Sequence, residues 1–174
     1  MIDPPEGCEE VRAIIAEIVT IIASSIHFEC LRPYVDQMVS ICRALCMDPC
    51  GSVIIEGCAA IREFAKTGGD QLLHFSENMG RALFTSFVHK HAKVRQAGLK
   101  SLYDVAFCGS YKFSYAIFEK MAGQRDPHIV PIKEFYEPVN AVNYFAMFVA
   151  DRSPQVREHF YKTLGDLLLR LPDR

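Results

Sequence analysis

Four valines, Val11, Val53, Val94 and Val156, open helix-like segments that align without gaps at spacings of 42, 41 and 62 residues. The last spacing is one more period plus an insertion of about 21 residues, which falls between Gly109 and Pro131. A fixed period of this length constrains the fold more than composition does, because it dictates a stack of similar units. Arg follows the valine in three of the four segments (Arg12, Arg95, Arg157), and an acid stands five positions before it in three (Glu6, Asp48, Asp151). In mechanical terms the acid belongs to a tight turn between two antiparallel helices, where it accepts turn amides and favours the N-terminus of the second helix. The valine is that helix's first core residue. The arginine lies at the core edge, its stem over apolar surface and its head in reach of an acid in its own or an adjacent unit. One such pair cannot bury its apolar face alone, so pairs stack.

Apolar residues recur at helical spacing along nearly the whole chain, with no sustained period-2 alternation, so the chain reads as all-α. Helices are expected over Glu9–Ser24, Leu31–Cys46, Ser52–Lys66, Gln71–Val88, Lys93–Phe107, Tyr111–Met121, Ile132–Val149 and Gln155–Arg170. Turn signals separate them at Asp48-Pro49-Cys50-Gly51, Gly68-Gly69, Cys108-Gly109-Ser110, Asp126-Pro127 and Ser153-Pro154. The expected organisation is one array over residues 1–174, with a leading half repeat at 1–29 and repeats at 30–68, 69–109 and 110–174, the last holding the insertion.

With 174 residues, half of them apolar, the chain can bury roughly 70% of its unfolded surface without disulfides or metal. A net charge of −2 and a pI near 6.3 argue against a general nucleic-acid binder, though they leave room for a small basic patch. The greasy stretch Ala13–Ile26 is broken by Glu17, Ser24 and Ser25 and is too short and polar to span a bilayer. Asp3, Glu6, Glu9 and Glu10 precede it, unlike the basic start of a secretory leader, so a cytoplasmic setting is expected. Seven cysteines, five of them between Cys30 and Cys58, fit reduced thiols that fill a core.

The period, the acid and the Val-Arg pair resemble HEAT repeats, whose helix pairs build curved α-solenoids. More narrowly, HKHAKVRQAGLKSL (His89–Leu102) and DRSPQVREHFYKTLGDLLLRLPDR (Asp151–Arg174) resemble segments of the HEAT-repeat dynein axonemal assembly factor family. The resemblance implies a non-enzymatic, cytoplasmic scaffold for preassembly of axonemal dynein arms of motile cilia, with dynein chains and chaperones as partners. Members of that family are much longer, so these residues would be a fragment. His89 stands where the pattern expects an acid, and the turn there should pack differently. A HEAT scaffold of another pathway, such as nuclear transport or phosphatase assembly, is the alternative within the fold. A Cys-rich metal-binding helical domain is the alternative outside it.

Cys42, Cys46 and Cys50 recur at i, i+4 and i+8, but Asp48-Pro49 ends that helix and a zinc site wants closer cysteine pairs. Cys58 and His27 could join them, yet core-filling thiols are the simpler account. His89 and His91 read as solvated turn histidines. No catalytic signature is present: Gly68-Gly69 ends a helix instead of following a strand, and no Gly-x-Ser-x-Gly, His-Glu-x-x-His or calcium loop occurs. No cofactor or metal is expected.

The register exposes a charge pattern. Ten positions after each valine stand Ile21, Glu63, Asp104 and Asp166, and six after stand Glu17, Ala59, Lys100 and Lys162. At 100° per residue both rows lie roughly opposite the core-facing Leu102 and Val105, so they are expected on an exposed inner face. Glu63, Lys100, Asp104, Lys162 and Asp166 are the expected partner-binding residues, with Lys100/Asp104 and Lys162/Asp166 as i,i+4 pairs in the plainer reading of a solvated helix face. Aromatic residues crowd around the insertion (Tyr111, Phe113, Tyr115, Phe118, then Phe135, Tyr136, Tyr144, Phe145, Phe148), mostly as core, with any outward ring an interface anchor. A solenoid end that lacks its next unit also exposes apolar surface through which two copies can pair.

Overall fold

The computed structural model describes residues 6–108, Met121 and 142–170, and all regular structure among them is helical. In chain order the elements are α1 (Glu9–Ser25), α2 (Phe28–Leu31), a 3-10 turn (Arg32–Tyr34), α3 (Val35–Cys46) and α4 (Gly51–Gly68). A second 3-10 turn (Gly69–Leu72) leads to α5 (Ser76–Phe87), α6 (Ala92–Cys108), α7 (Tyr144–Val149) and α8 (Pro154–Arg170). The expected insertion, the helix over Tyr111–Met121 and most of that over Ile132–Val149 lie outside the described residues.

The breaks have local causes. Between α3 and α4 the Asp48 carboxylate accepts the Cys50 N–H at 2.8 Å, closing the turn around Pro49. α4 stops at Gly69, whose φ of +47° suits a residue with no Cβ. α8 starts at Pro154, where a missing N–H costs nothing. Two expected helices are shorter than their apolar spacing suggested. Pro33 supplies no N–H, and a 3-10 turn carries the chain past it before α3 begins at Val35. The stretch from Gln71 breaks at Leu73–Phe75, where the Ser76 hydroxyl donates to the Leu73 carbonyl at 2.8 Å and starts α5.

The helices form an all-α solenoid. α3 packs on α4, α5 on α6 and α7 on α8, while the second helices α1, α4, α6 and α8 lie side by side in that order and α3 neighbours α5. Val53, Val94 and Val156 are at most 1% exposed. Val11 departs from the expectation at 41% exposed. α1 buries Ala16, Val19 and Ala23 while packing on α4, and no first helix among the described residues covers its other flank.

Side-chain hydroxyls repeat with the period. Ser101, seven positions after Val94, donates to the Cys58 carbonyl at 2.7 Å, and Thr163, seven after Val156, reaches the Leu99 carbonyl at 3.5 Å. Cys58 and Leu99 are each five positions after their own valine. Two glycines repeat as well, four positions after the valine. A Cβ on Gly57 would meet Leu45 Cβ at 2.8 Å, and one on Gly98 would meet Ser86 Oγ at 1.9 Å, so bare backbone lets each first helix close on its second. Between α5 and α8 the core is aromatic: Phe84 and Phe87 meet Tyr144, Phe87 meets Phe148, and Phe148 stacks on Phe160 with centroids 5.6 Å apart.

Candidate functional site

A scaffold of stacked helices works through its surface, and the turns between first and second helices define one edge of it. Arg12 donates through Nε and Nη2 to the two carboxylate oxygens of Asp48, at 2.8 and 3.1 Å, and through Nη1 to the Glu6 carbonyl at 2.9 Å. Arg95 repeats this, with both bonds to Asp151 at 2.7 Å and a third to the His89 carbonyl at 2.7 Å. Arg157 donates to the Asp151 carbonyl at 2.6 Å. Each arginine therefore ties its own turn by a carbonyl, and the first two tie the next turn by a bidentate ion pair. For Asp151, burial pushes the carboxyl pKa up, but the bonds from Arg95 and the Ser153 amide together hold it below the ordinary value.

The rung between these two is built without charge, for Ile54 occupies the arginine position and His89 the acid position. Ile54 is buried. His89 still closes its turn as the acid would, since its Nδ1 accepts the His91 N–H at 3.1 Å, just as Asp48 accepts Cys50 and Asp151 accepts Ser153. The His89 ring is half-buried, where a solvated turn residue was expected, because it packs beside Gly51 at the start of α4. Burial lowers its pKa first, with the charges of His91, Lys90 and Arg95 adding to the effect.

The charge rows on the second helices differ in part from expectation. Lys100 and Lys162 are exposed, whereas Glu63, Asp104 and Asp166 are each half-buried. In α4, α6 and α8 the position ten past the valine is therefore a half-buried shoulder and not the open face, whereas Ile21 of α1 is exposed. Glu63 is tucked under its own helix's cations, accepting from Arg62 at 2.9 Å and Lys66 at 3.2 Å. Burial raises its pKa, and those two bonds outweigh burial to leave it lowered. Among the described residues neither Lys100 nor Lys162 forms an ion pair, so the two expected i,i+4 pairs are not made and both lysine heads face solvent.

Cys42, Cys46, Cys58 and Cys108 are buried, and Cys50 is half-buried. Burial pushes the Cys42 and Cys108 thiols up to about 12, and contact with Cys58 together with burial raises Cys46 as well. Such thiols pack as small apolar groups instead of ionising as nucleophiles or ligands. Among the described residues no three His, Cys, Asp or Glu side chains converge to hold a metal, and no helix is long and apolar enough to cross a membrane. Tyr144 and Phe148 are core residues and Phe145 is half-buried. Tyr111, Phe113, Tyr115, Phe118, Phe135 and Tyr136 lie outside the described residues.

Sequence reasoning missed a further group on the turn edge. Lys90 and Arg152 each follow the acid position, and Lys93 precedes Val94. All three are exposed and form no ion pair among the described residues. The register that aligned the valines aligns Lys90 with Arg152 and was the signal for them, whereas Lys93 aligns with Gln155.

Comparison with known proteins places this surface in a family context. Residues 2–126 match the family described as dynein axonemal assembly factor 5-like, TPR repeats. TPR and HEAT units are both stacked helix pairs. Dynein axonemal assembly factor 5 of Mus musculus is 28% identical over 171 residues, 98% of this chain. The Homo sapiens protein is 26% identical over the same share, and the Xenopus laevis protein 25% identical over 97%. The chain spans 17% of the length of each of these relatives.

Proposed function

Because the chain belongs to the dynein axonemal assembly factor 5-like family, we propose that it is a non-enzymatic protein-binding scaffold acting in cytoplasmic preassembly of axonemal dynein arms. The observation that carries this reading is similarity over 98% of the chain to relatives named for axonemal dynein assembly. The architecture supports it. Stacked pairs, with two of the turn-to-turn rungs tied by arginine, make an extended surface, and solenoids use such surfaces to hold other proteins. Partners are proteins, dynein chains and the chaperones that fold them, with neither nucleic acid nor membrane as ligand. The proposed contact face carries the exposed Lys100 and Lys162 beside the half-buried Glu63, Asp104 and Asp166.

The test is recovery of bound proteins from a ciliated-cell extract with the chain as bait. Dynein heavy or intermediate chains in the bound fraction are the expected result, and their absence, with importins or phosphatase subunits in their place, would move the scaffold to another pathway. Loss of the gene in ciliated cells should remove dynein arms while the doublet microtubules persist.

A further inference from the structure

The turn edge changes sign along the solenoid. At its α1 end Glu6, Glu9 and Glu10 are exposed. In its middle the equivalent positions are Asp48, which Arg12 takes up, Gly51 and Ser52, and Pro49 stands where Lys90 and Arg152 stand in the later turns. At the turns before α6 and α8 the exposed charges are Lys90, Lys93 and Arg152. The acid that should balance them is missing at His89, and Asp151 is engaged by Arg95. Glu158 stands a full turn further into α8.

Stability does not explain this placement. α1, α3 and α5 each carry an acid in the first turn, as the helix dipole favours, whereas α4, α6 and α8 carry none. Lys93 sits in the first turn of α6, where a cation opposes the dipole. Position is nonetheless well fixed. Arg95 bonds the Lys90 carbonyl at 3.1 Å and the Asp151 carboxylate, and Arg157 reaches the Arg152 carbonyl at 3.4 Å, so the backbones under Lys90 and Arg152 are held in adjacent turns.

We propose that this edge, formed by Lys90 and Arg152 on the turns before α6 and α8 and by Lys93 in the first turn of α6, docks an extended acidic segment of a protein partner. Neighbouring helices lie about 8–10 Å apart, a span that about three residues of extended chain cover, so carboxylates at alternate positions can meet cations on both turns. A nucleic acid fits less well. Three cations neutralise few phosphates, and Glu6, Glu9 and Glu10 on the same edge repel a longer polyanion. The proposal rests on the scaffold reading and supplies the recognition chemistry of one of its surfaces.

The experiment uses the full 174-residue chain and a fluorescein-labelled decapeptide of alternating Ser and Glu, followed by fluorescence anisotropy in about 50 mM and 150 mM salt. The acidic peptide should bind, the Ser-Gln analogue should not, and higher salt should weaken the complex. Substituting K90E, K93E and R152E together should weaken binding at least about tenfold, while R32E with R43E, on the first 3-10 turn and α3, leaves it unchanged. If the reversed triple fails to melt as wild type, the K90Q/K93Q/R152Q triple replaces it with the same expected direction. Equal binding of the Gln peptide, or tighter binding of a single-stranded oligonucleotide of the same charge, overturns the proposal. So does a salt-sensitive dimer that the triple abolishes, since that outcome gives the edge to Glu6, Glu9 and Glu10 of a second copy. Purified components separate the two readings: a chain that binds the acidic peptide but recovers no dynein fails the pathway and keeps the docking edge, and the converse result does the reverse.

Discussion

Ile54 and His89 stand at the two ends of a rung that the protein builds without charge, between one rung made by Arg12 and Asp48 and another made by Arg95 and Asp151. The two departures from the period thus fall on the same rung of the register. An arginine at 54 facing a histidine at 89 would bury a cation beside Lys90 and His91, and an aspartate at 89 facing Ile54 would sit half-buried without its partner. Either alone is costly, because a charge removed from water needs its counterion.

This relationship predicts a strong non-additivity. Ile54→Arg alone should destabilise by about 2–4 kcal/mol, from lost packing and an unpaired guanidinium. His89→Asp alone should cost less, since the aspartate can still accept the His91 amide. Together they should recover about 1–3 kcal/mol of the loss by forming the missing rung. Urea denaturation of the four chains measures the cycle, and additivity within about 0.5 kcal/mol would mean the positions do not meet.

Removing charge from an existing rung should act in the opposite direction. Asp151→Asn keeps the turn bond to the Ser153 amide but surrenders the ion pair to Arg95, for an expected loss of about 1–3 kcal/mol at neutral pH. The native carboxyl titrates below its unfolded value, so the unfolded chain takes up the proton first as pH falls. The stability it contributes is therefore complete above the ordinary value of 3.8 and disappears as pH drops through the lowered native value. Melting curves of wild type and D151N should converge in acid.

For His89 the sign runs the other way in charge but not in pH. Its Nδ1 can accept the His91 amide only on a neutral ring, and its native pKa lies below the ordinary 6.5. The unfolded chain then binds the proton more tightly, so stability is full above about pH 6.5 and falls as pH decreases towards the native value. His89→Asn retains an acceptor and cannot titrate. The drop in melting temperature between about pH 7 and pH 5.5 should be smaller in the variant than in wild type, and equal drops would place the titrating group elsewhere.

These positions also show what the sequence could and could not disclose. The helices, the order of the second helices and the turn acids were legible because the period of 41 to 42 residues repeats both the apolar stripe and the Asp and Arg at fixed offsets. Val11 fits the pattern but not the burial, since a register says where a residue points and not whether a neighbouring helix is there to cover it. Glu63 is half-buried under Arg62 and Lys66 of its own helix, a side-chain placement that a helical wheel does not contain. Pro33 and Ser76 changed helix starts through local hydrogen bonding that apolar spacing does not register. The docking cations were visible in the register only once the turns, and not the helix faces, were compared.

Gly57 and Gly98 stand inside α4 and α6, where a glycine carries a propensity cost of about 1 kcal/mol against alanine. Both stand four positions after their valine, where the first helix of the pair presses onto the second. Gly98→Ala repairs the propensity but places a Cβ at 1.9 Å from Ser86 Oγ and about 3 Å from the Phe87 ring. Ser86 cannot easily turn away, since its hydroxyl is buried and donates to the Leu83 carbonyl at 2.6 Å. α5 and α6 must therefore separate, and G98A should lose about 1–3 kcal/mol despite alanine's better helix propensity. Removing the obstacle should reverse part of this: Ser86→Gly in the G98A background gives the methyl somewhere to go, whereas in wild type it leaves a small void and lowers stability. A G98A chain that melts at or above the wild-type temperature, with no rescue by S86G, would mean that the close approach of α5 and α6 is not what the glycine is for.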